Sequence, residues 1–251
     1  MNYLQARMLS ALMLLALLTA CVVPQSSYRA GGFSYERMQK YGLAVGGVVS
    51  ASGAQPLYQY LDWSKRLQTA LHETRPSLPL VGAQATRERL GNNYKPVLDG
   101  FQQYNTVGRA ELEMLRRAGL ISRYVMFARI ERDEAQKLPV QVLPYKDEKG
   151  RYFEDRQNVV KATRREVVVT GQIYDLETGR QVWQERLVSA PRNQSRFVRY
   201  HGDSAAEALV VSAANILSNG RSEPAQPKAP SSEEALNYVF TGLAEKLPGL
   251  Y

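Results

Sequence analysis

Arg165-Glu-Val-Val-Val-Thr-Gly-Gln-Ile-Tyr174, Asp175-Leu-Glu-Thr-Gly179 and Arg180-Gln-Val-Trp-Gln-Glu-Arg-Leu-Val-Ser189 follow one another without a gap. β-Branched and aromatic residues dominate both flanks, and the five residues between them carry Asp, Thr and Gly, the chemistry of a tight reversal. The stretch predicts an antiparallel hairpin. Upstream, Ser122 to Glu131 sets Tyr124, Met126, Ala128 and Ile130 against Val125, Phe127 and Arg129, the period-two pattern of a largely buried strand. Leu43-Ala-Val-Gly-Gly-Val-Val-Ser50 is a short apolar run bounded by Gly and Ser and reads as another strand, with Gly46-Gly47 marking a bulge or a close packing contact. Pro79-Leu-Val-Gly82 is a candidate short strand.

Helical spacing fills the intervals. Leu57, Tyr60, Leu61, Leu67 and Leu71 share one face of a helix over 57–72. Further helical stretches are expected at 86–90 with Thr86 as N-cap, at 96–104 after a break at Asn92-Asn93, and at 109–118 with Gly119 ending it. Two more are expected at 205–217, capped by Asp203 or Ser204, and at 233–247, where Leu236, Val239, Phe240, Leu243 and Leu247 align. The order β-α-β-α-α-β-β-β-α predicts an α+β fold, a small mixed β-sheet with helices packed on one or both faces. Residues 136–160, with two prolines and Lys146-Asp-Glu-Lys-Gly150, read as a polar excursion. Residues 219–232, rich in Pro, Ser and Ala, read as a mobile linker. No internal repeat is evident.

Ala118-Gly-Leu-Ile-Ser-Arg-Tyr-Val-Met-Phe-Ala-Arg-Ile-Glu131, followed by Val167-Val-Val-Thr-Gly-Gln-Ile-Tyr-Asp-Leu-Glu-Thr-Gly-Arg-Gln-Val-Trp183, resembles the core of the CsgG-like lipoproteins. That family includes curli secretion-channel subunits and the penicillin-binding-protein activator LpoB. The likeness covers roughly residues 41–190 and rests on a helix ending in Ala-Gly, a strand, and a hairpin whose turn carries Asp-x-x-Thr-Gly before a Val-Trp strand. These motifs are structural, not catalytic. The resemblance implies a periplasmic binding and assembly domain. Its channel-forming members build a pore from two membrane-crossing hairpins per subunit, which here would fall at 136–166 and 186–202. Pro139, Pro144 and the charged 146–149 run interrupt the first, and Pro191 with Arg192, Arg196 and Arg199 interrupts the second. A charge on a barrel's lipid face at the midplane costs about 2–4 kcal/mol, so neither stretch offers a lipid-facing band. A regulator of a cell-wall synthase, the other role in the family, needs a long tether.

The N-terminus carries a second resemblance. Arg7 precedes an apolar run from Met8 to Leu17, and Leu18-Thr19-Ala20-Cys21 closes it, as in a bacterial lipoprotein signal with its lipobox. About 10–13 apolar residues are too few to span a bilayer as a helix. Residues 1–20 are therefore expected to be a cleaved signal peptide. Cys21, the one cysteine of the chain, is the expected lipid-attachment site, carrying a diacylglyceryl thioether and an amide-linked chain such as palmitate. Val22 in place of Asp implies transport to the outer membrane, with the domain on its periplasmic face. Residues 21–38 are then the lipidated N-terminus and a tether, and 39–251 a single domain, within the usual size range.

The net charge of +8 favours anionic partners such as lipid head groups, acidic proteins or the cell-wall polymer. Nucleic acid is not expected outside the cytoplasm. Hydrophobic content of 44% suffices for a core without disulfides. His72 and His201 stand far apart with no ligand cluster at metal spacing, and no nucleophile-elbow, zincin or phosphate-loop motif occurs. No catalytic residue, metal or cofactor is expected beyond the covalent lipid. The candidate anionic-partner surface is Arg192, Arg196, Arg199 and Tyr200, interleaved with Phe197, with a charge-protected strand edge as its plain structural counterpart. Glu131 and Asp133 read as solvated, and Trp63 and Trp183 as packing residues. The sequence thus predicts a non-enzymatic, periplasm-facing adaptor or assembly factor for an envelope complex. Its alternatives are a channel subunit, which requires homo-oligomers, and a synthase regulator.

Overall fold

Val167–Asp175 and Arg180–Ser189 do pair antiparallel, with Ile173 opposite Trp183 and Val169 opposite Leu187. The turn between them is held by the Gly179 N–H donating to the Asp175 carbonyl at 2.8 Å, with Gly179 at φ +65°, a conformation glycine adopts without strain. The computed structural model describes residues 27–200 and 225–249. Its strands are β1 (Tyr28–Arg29), β2 (Leu43–Ser50), β3 (Leu80–Val81), β4 (Tyr124–Lys137), β5 (Gln141–Lys146), β6 (Tyr152–Asp175), β7 (Arg180–Ser189) and β8 (Arg192–Tyr200). The helices are α1 (Tyr35–Tyr41), α2 (Leu57–Thr74), α3 (Ala83–Leu90), α4 (Tyr94–Tyr104), α5 (Arg109–Arg117) and α6 (Ser232–Lys246).

One mixed sheet runs β1-β7-β6-β4-β2-β3, with β2 parallel to both β3 and β4 and the other pairs antiparallel. Both faces are covered. On one, Met38 of α1, Leu67 and Leu71 of α2 and Leu236, Phe240 and Leu243 of α6 pack on Val45, Met126, Ile173 and Trp183. On the other, Leu98 and Phe101 of α4 and Leu112 and Leu115 of α5 pack on Ala44, Val125, Phe127 and Tyr174. Double coverage is why β2 is buried along its whole length and reads as an apolar run, not an alternating one. The expected α+β sheet with helices on both faces is therefore the observed architecture.

The Gly46-Gly47 pair is a bulge, since the β2–β4 register shifts between Val45 and Gly47. A Cβ on Gly46 would lie 2.6 Å from Cε1 and Cε2 of the Phe127 ring, so only glycine lets that ring reach the strand. Beyond the bulge, the Val48 N–H donates to Ser64 Oγ of α2 at 2.9 Å, and Ser64 Oγ donates on to the Tyr60 carbonyl. A helix side chain thus replaces the missing ladder partner at a buried position. At the end of α2, Arg75 donates to the carbonyls of Ala244, Glu245 and Leu247, satisfying the C-terminus of α6.

Three stretches differ from the sequence expectation. Residues 136–160 are not an excursion: β4 runs on to Lys137, and β5 and the distal part of β6 form a hairpin, with Val142 opposite Val159 and Leu143 opposite Asn158. The prolines mark joints and edges. Pro139 lies between β4 and β5, Pro191 between β7 and β8, and Pro144 sits at the register shift of β5, which among the described residues pairs only with β6. The tether is shorter than 21–38, because Tyr28–Arg29 add to β7, Phe33, Tyr35 and Met38 are buried, and Ser34 caps α1. Within the stretch read as a linker, Gln226 donates to the Ala162 carbonyl, Thr163 to that of Pro227 and Arg165 to that of Pro230. Packing and backbone acceptors fasten it to β6. The helix expected at 205–217 and the first part of the linker lie outside the described residues.

Candidate functional site

At 24 residues β6 is far longer than the body needs. Its second half pairs with β4 and β7 inside the layered body, and its first half pairs with β5 on one side and β8 on the other. The result is a three-stranded antiparallel ribbon that leaves the body at one end. At about 3.3 Å per residue, residues 152–162 carry it roughly 35 Å outward. The tip is a tight turn: Asp147 Oδ1 accepts from the N–H groups of Lys149 and Arg151, and Gly150 takes φ +77°. The Arg151 backbone N–H, helped by the Arg151 guanidinium and the Lys149 N–H, holds the Asp147 carboxyl below the ordinary carboxylate range.

The ribbon is basic and aromatic. Residues 138–164 and 190–200 hold nine Lys and Arg against four Asp and Glu, a net +5 out of the chain's +8. Arg156 stacks over Phe153 at 4.6 Å and over Tyr145 at 5.6 Å, and those two rings meet edge-on at 5.8 Å. Lys146 lies 4.2 Å from the Tyr152 ring and Lys161 5.3 Å from that of Phe197. A cation over a ring face is attracted by the ring quadrupole, by about 0.5–1 kcal/mol at exposed sites. Exposed apolar side chains share this region: Val140, Val142, Leu143 and Tyr152, the last at 65% exposure.

Arg192, Arg196, Arg199 and Tyr200 all fall on β8, which among the described residues pairs only with β6. Strand alternation divides them, as Arg192 and Arg196 lie opposite Arg164 and Val160 on one face, whereas Arg199 lies opposite Gln157 on the other. They are one strand of a larger basic surface, not a self-contained cluster. Tyr145, Tyr152, Phe153 and Arg156 were missed by the sequence reading because the prolines and the 146–150 charges masked the strands; the signal was the pair of short β-prone runs flanking Asp147–Gly150. Leu18, Thr19, Ala20 and Cys21 lie outside the described residues, as does His201. His72 is exposed on α2. Trp183 is core and Trp63 is partly buried against both clusters.

Glu131 is partly buried and Asp133 exposed, as solvated carboxylates are, and both are also held in ion pairs. Glu131 accepts from Thr170 Oγ1 at 2.5 Å and from Arg186 Nε at 2.9 Å, and Asp133 pairs with Arg165 at 2.5 Å and accepts from Ser232. Among the described residues no three His, Cys, Asp or Glu side chains converge on a metal position. The opposite end of the body carries a groove of about 560 Å³ lined by Lys40, Tyr41, Leu80, Leu120, Ile121 and Arg123, with Ile121 84% exposed. Arg123 there makes a two-point contact with Asp175, Nε to Oδ1 at 2.9 Å and Nη2 to Oδ2 at 2.6 Å, and also pairs with Glu177. Burial alone would raise the Asp175 carboxyl, but Arg123 and the Glu177 N–H hold it below the ordinary range.

No family model matches the sequence, and no curated protein matches it. Among solved structures, the chain is similar to the LpoB C-terminal domain from Salmonella enterica, at 15% identity over 63% of this chain and 86% of that one, with a TM-score of 0.32. It is also similar to the PelC dodecamer from Paraburkholderia phytofirmans, at 13% identity over 80% of this chain and 98% of that one, with a TM-score of 0.30. Lipoprotein GNA1162 from Neisseria meningitidis is 13% identical over 70% and 96%, with a TM-score of 0.28. At these identities and scores the likeness carries no partner, activity or assembly over to this chain.

Proposed function

We propose that this protein is a non-enzymatic lipoprotein of the outer membrane, held on the periplasmic face by acylated Cys21, and that it serves as an adaptor or assembly factor for an envelope complex. The observation that carries the reading is the direction of β1. Tyr28 pairs with Gln184 and Arg29 with Trp183, antiparallel to β7, so the chain enters the body from the ribbon side. The lipobox cysteine, seven residues before Tyr28, therefore reaches at most about 25 Å from that point. An acyl chain gains about 0.8 kcal/mol per buried CH₂, so several chains anchor effectively for good. Confinement to a layer this thin raises the effective concentration toward any partner in the same layer. So short a reach does not favour a regulator that must cross the cell wall.

A channel subunit is the second reading, favoured by one observation: both stretches where crossing hairpins were expected contain strands continuous with the sheet. Against it, β5 has six residues, and a crossing strand needs about 9–11. Metabolic labelling with an alkyne fatty acid, in the native chain and in Cys21→Ala, tests the anchor. Light scattering of the acylated protein in mild detergent tests the assembly. Label lost in Cys21→Ala, outer-membrane fractionation and a monomer or dimer support the adaptor. Label retained in Cys21→Ala refutes the anchor, and a large closed ring returns the channel.

A further inference from the structure

We infer that the distal ribbon is a second membrane contact, lying on the anionic phospholipid head groups of the same leaflet that holds the lipid on Cys21. The inference rests on the acylation proposed above and adds a surface to it.

Two independent observations lead there. The first is reach. Cys21 can lie no more than about 25 Å from Tyr28, and Tyr28 sits level with Gln184 of β7, which is opposite Gln172 of β6. From Gln172 to Tyr152 the same strand continues for about twenty residues, roughly 65 Å along its axis. Because β1 is entered from the ribbon side, a membrane that holds Cys21 within about 25 Å of Tyr28 falls inside the length of the ribbon. The anchor and the ribbon can therefore meet one surface, with the ribbon lying along it or passing through it. The second observation is chemistry. The distal segment carries a net charge of +5, and Arg156, Lys146 and Lys161 each stand over an aromatic ring. Val142, Leu143 and Tyr152 are exposed beside them. Aromatic rings with basic neighbours suit the headgroup level, where one end of the side chain is wet and the other apolar. Charges on both faces, Lys161 and Arg199 on one and Arg164, Arg192 and Arg196 on the other, oppose passage through hydrocarbon. Lying on the surface satisfies both the reach and the charge.

The test uses the full acylated protein. Lipid occupies the Cys21 sulfur, so Leu143→Cys supplies a single free thiol for an environment-sensitive fluorophore, and Ile121→Cys at the opposite end of the body serves as control. Each is reconstituted in phosphatidylglycerol-containing vesicles and in phosphatidylcholine vesicles, with nitroxide quenchers placed at the headgroup or deep in the acyl chain. The expected result is headgroup-level quenching at position 143 that requires phosphatidylglycerol and fades at high salt, with position 121 unquenched. Lys146→Gln with Lys149→Gln should weaken the contact about 25-fold at low salt, at roughly fivefold per basic residue. An unquenched position 143, or quenching independent of phosphatidylglycerol, overturns the inference, and stronger quenching from the deep nitroxide overturns it in favour of a crossing hairpin. Acylation is read separately by mass. Absent quenching in an acylated protein refutes the ribbon contact alone, whereas an unmodified Cys21 refutes the anchor and the shared-leaflet geometry with it.

Discussion

Replacing Asp175 with Ala probes the contact that closes the hairpin end of the body. The Asp175 side chain is 6% exposed and the Arg123 side chain 20%, and two hydrogen bonds at 2.9 and 2.6 Å join them. Asp175 also accepts from the Glu177 N–H at 3.0 Å, which fixes the turn. Removing one partner of a fully buried pair costs about 3–5 kcal/mol because the other charge is left uncompensated. Here Arg123 keeps Glu177, whose side chain is 67% exposed, and some access to water, so the cost falls to about 2–3 kcal/mol. At about 2–4 °C per kcal/mol for a domain of this size, the melting temperature should drop by about 4–12 °C. The pH dependence follows from the depressed carboxyl. The stabilisation is complete above the unfolded value of about 3.9 and is lost as pH falls through the lower folded value, so the difference between native and variant shrinks in acid. Urea denaturation of Asp175→Ala, Arg123→Ala and the double variant from neutral to strongly acidic pH measures all of this. A loss below about 0.5 kcal/mol at neutral pH, or one that stays constant into acid, would refute the account.

Gly46→Ala should cost about 1–3 kcal/mol, because its Cβ meets the Phe127 ring, and combining it with Phe127→Leu should recover part of that; strictly additive costs in a double-mutant cycle would count against the close approach. Ser64→Ala strands the buried Val48 N–H and should cost about 1–3 kcal/mol by urea denaturation, with faster hydrogen exchange at Val48 as the local signature. Burial raises the Glu185 carboxyl, with Lys246 opposing, so ionisation there penalises the folded state as pH rises above the unfolded carboxylate value. Glu185→Gln should therefore stabilise the protein at neutral pH, with the gain vanishing in acid, and a variant less stable at pH 7 than the native chain would contradict this.

Much of the body was legible along the chain. The alternation from Tyr124 to Ile130, the Asp175–Gly179 turn and the helical faces of 57–72 and 233–247 are local patterns, and each became the expected element. The Gly46-Gly47 bulge was legible for the same reason, since two glycines within an apolar run have few other uses. The ribbon was not. Pro139, Pro144 and Pro191 read as breakers in one dimension, but Pro139 and Pro191 fall in the joints between strands and Pro144 at a register shift of a strand that among the described residues pairs on one side, and neither placement is written in the local sequence. Docking of residues 28–38 escaped for a similar reason, because Phe33, Tyr35 and Met38 are spaced irregularly and join a core built from distant segments, Phe33 meeting the Tyr124 ring and Tyr35 meeting Ser77.

Of the candidate site, the sequence by itself supplied the ingredients: the cysteine expected to carry lipid, the basic and aromatic composition of 138–200, and the α+β class. Only the tertiary structure decided their arrangement. Pairing with β6 sets Arg192 and Arg196 on the face opposite Arg199, gathers Tyr145, Phe153 and Arg156 at the distal end, and turns the entering chain toward the ribbon through two residues added to β7. Composition and period are properties of neighbours along the chain. Register and strand direction are set by which distant segments bury each other's apolar faces, and a single sequence does not record that choice.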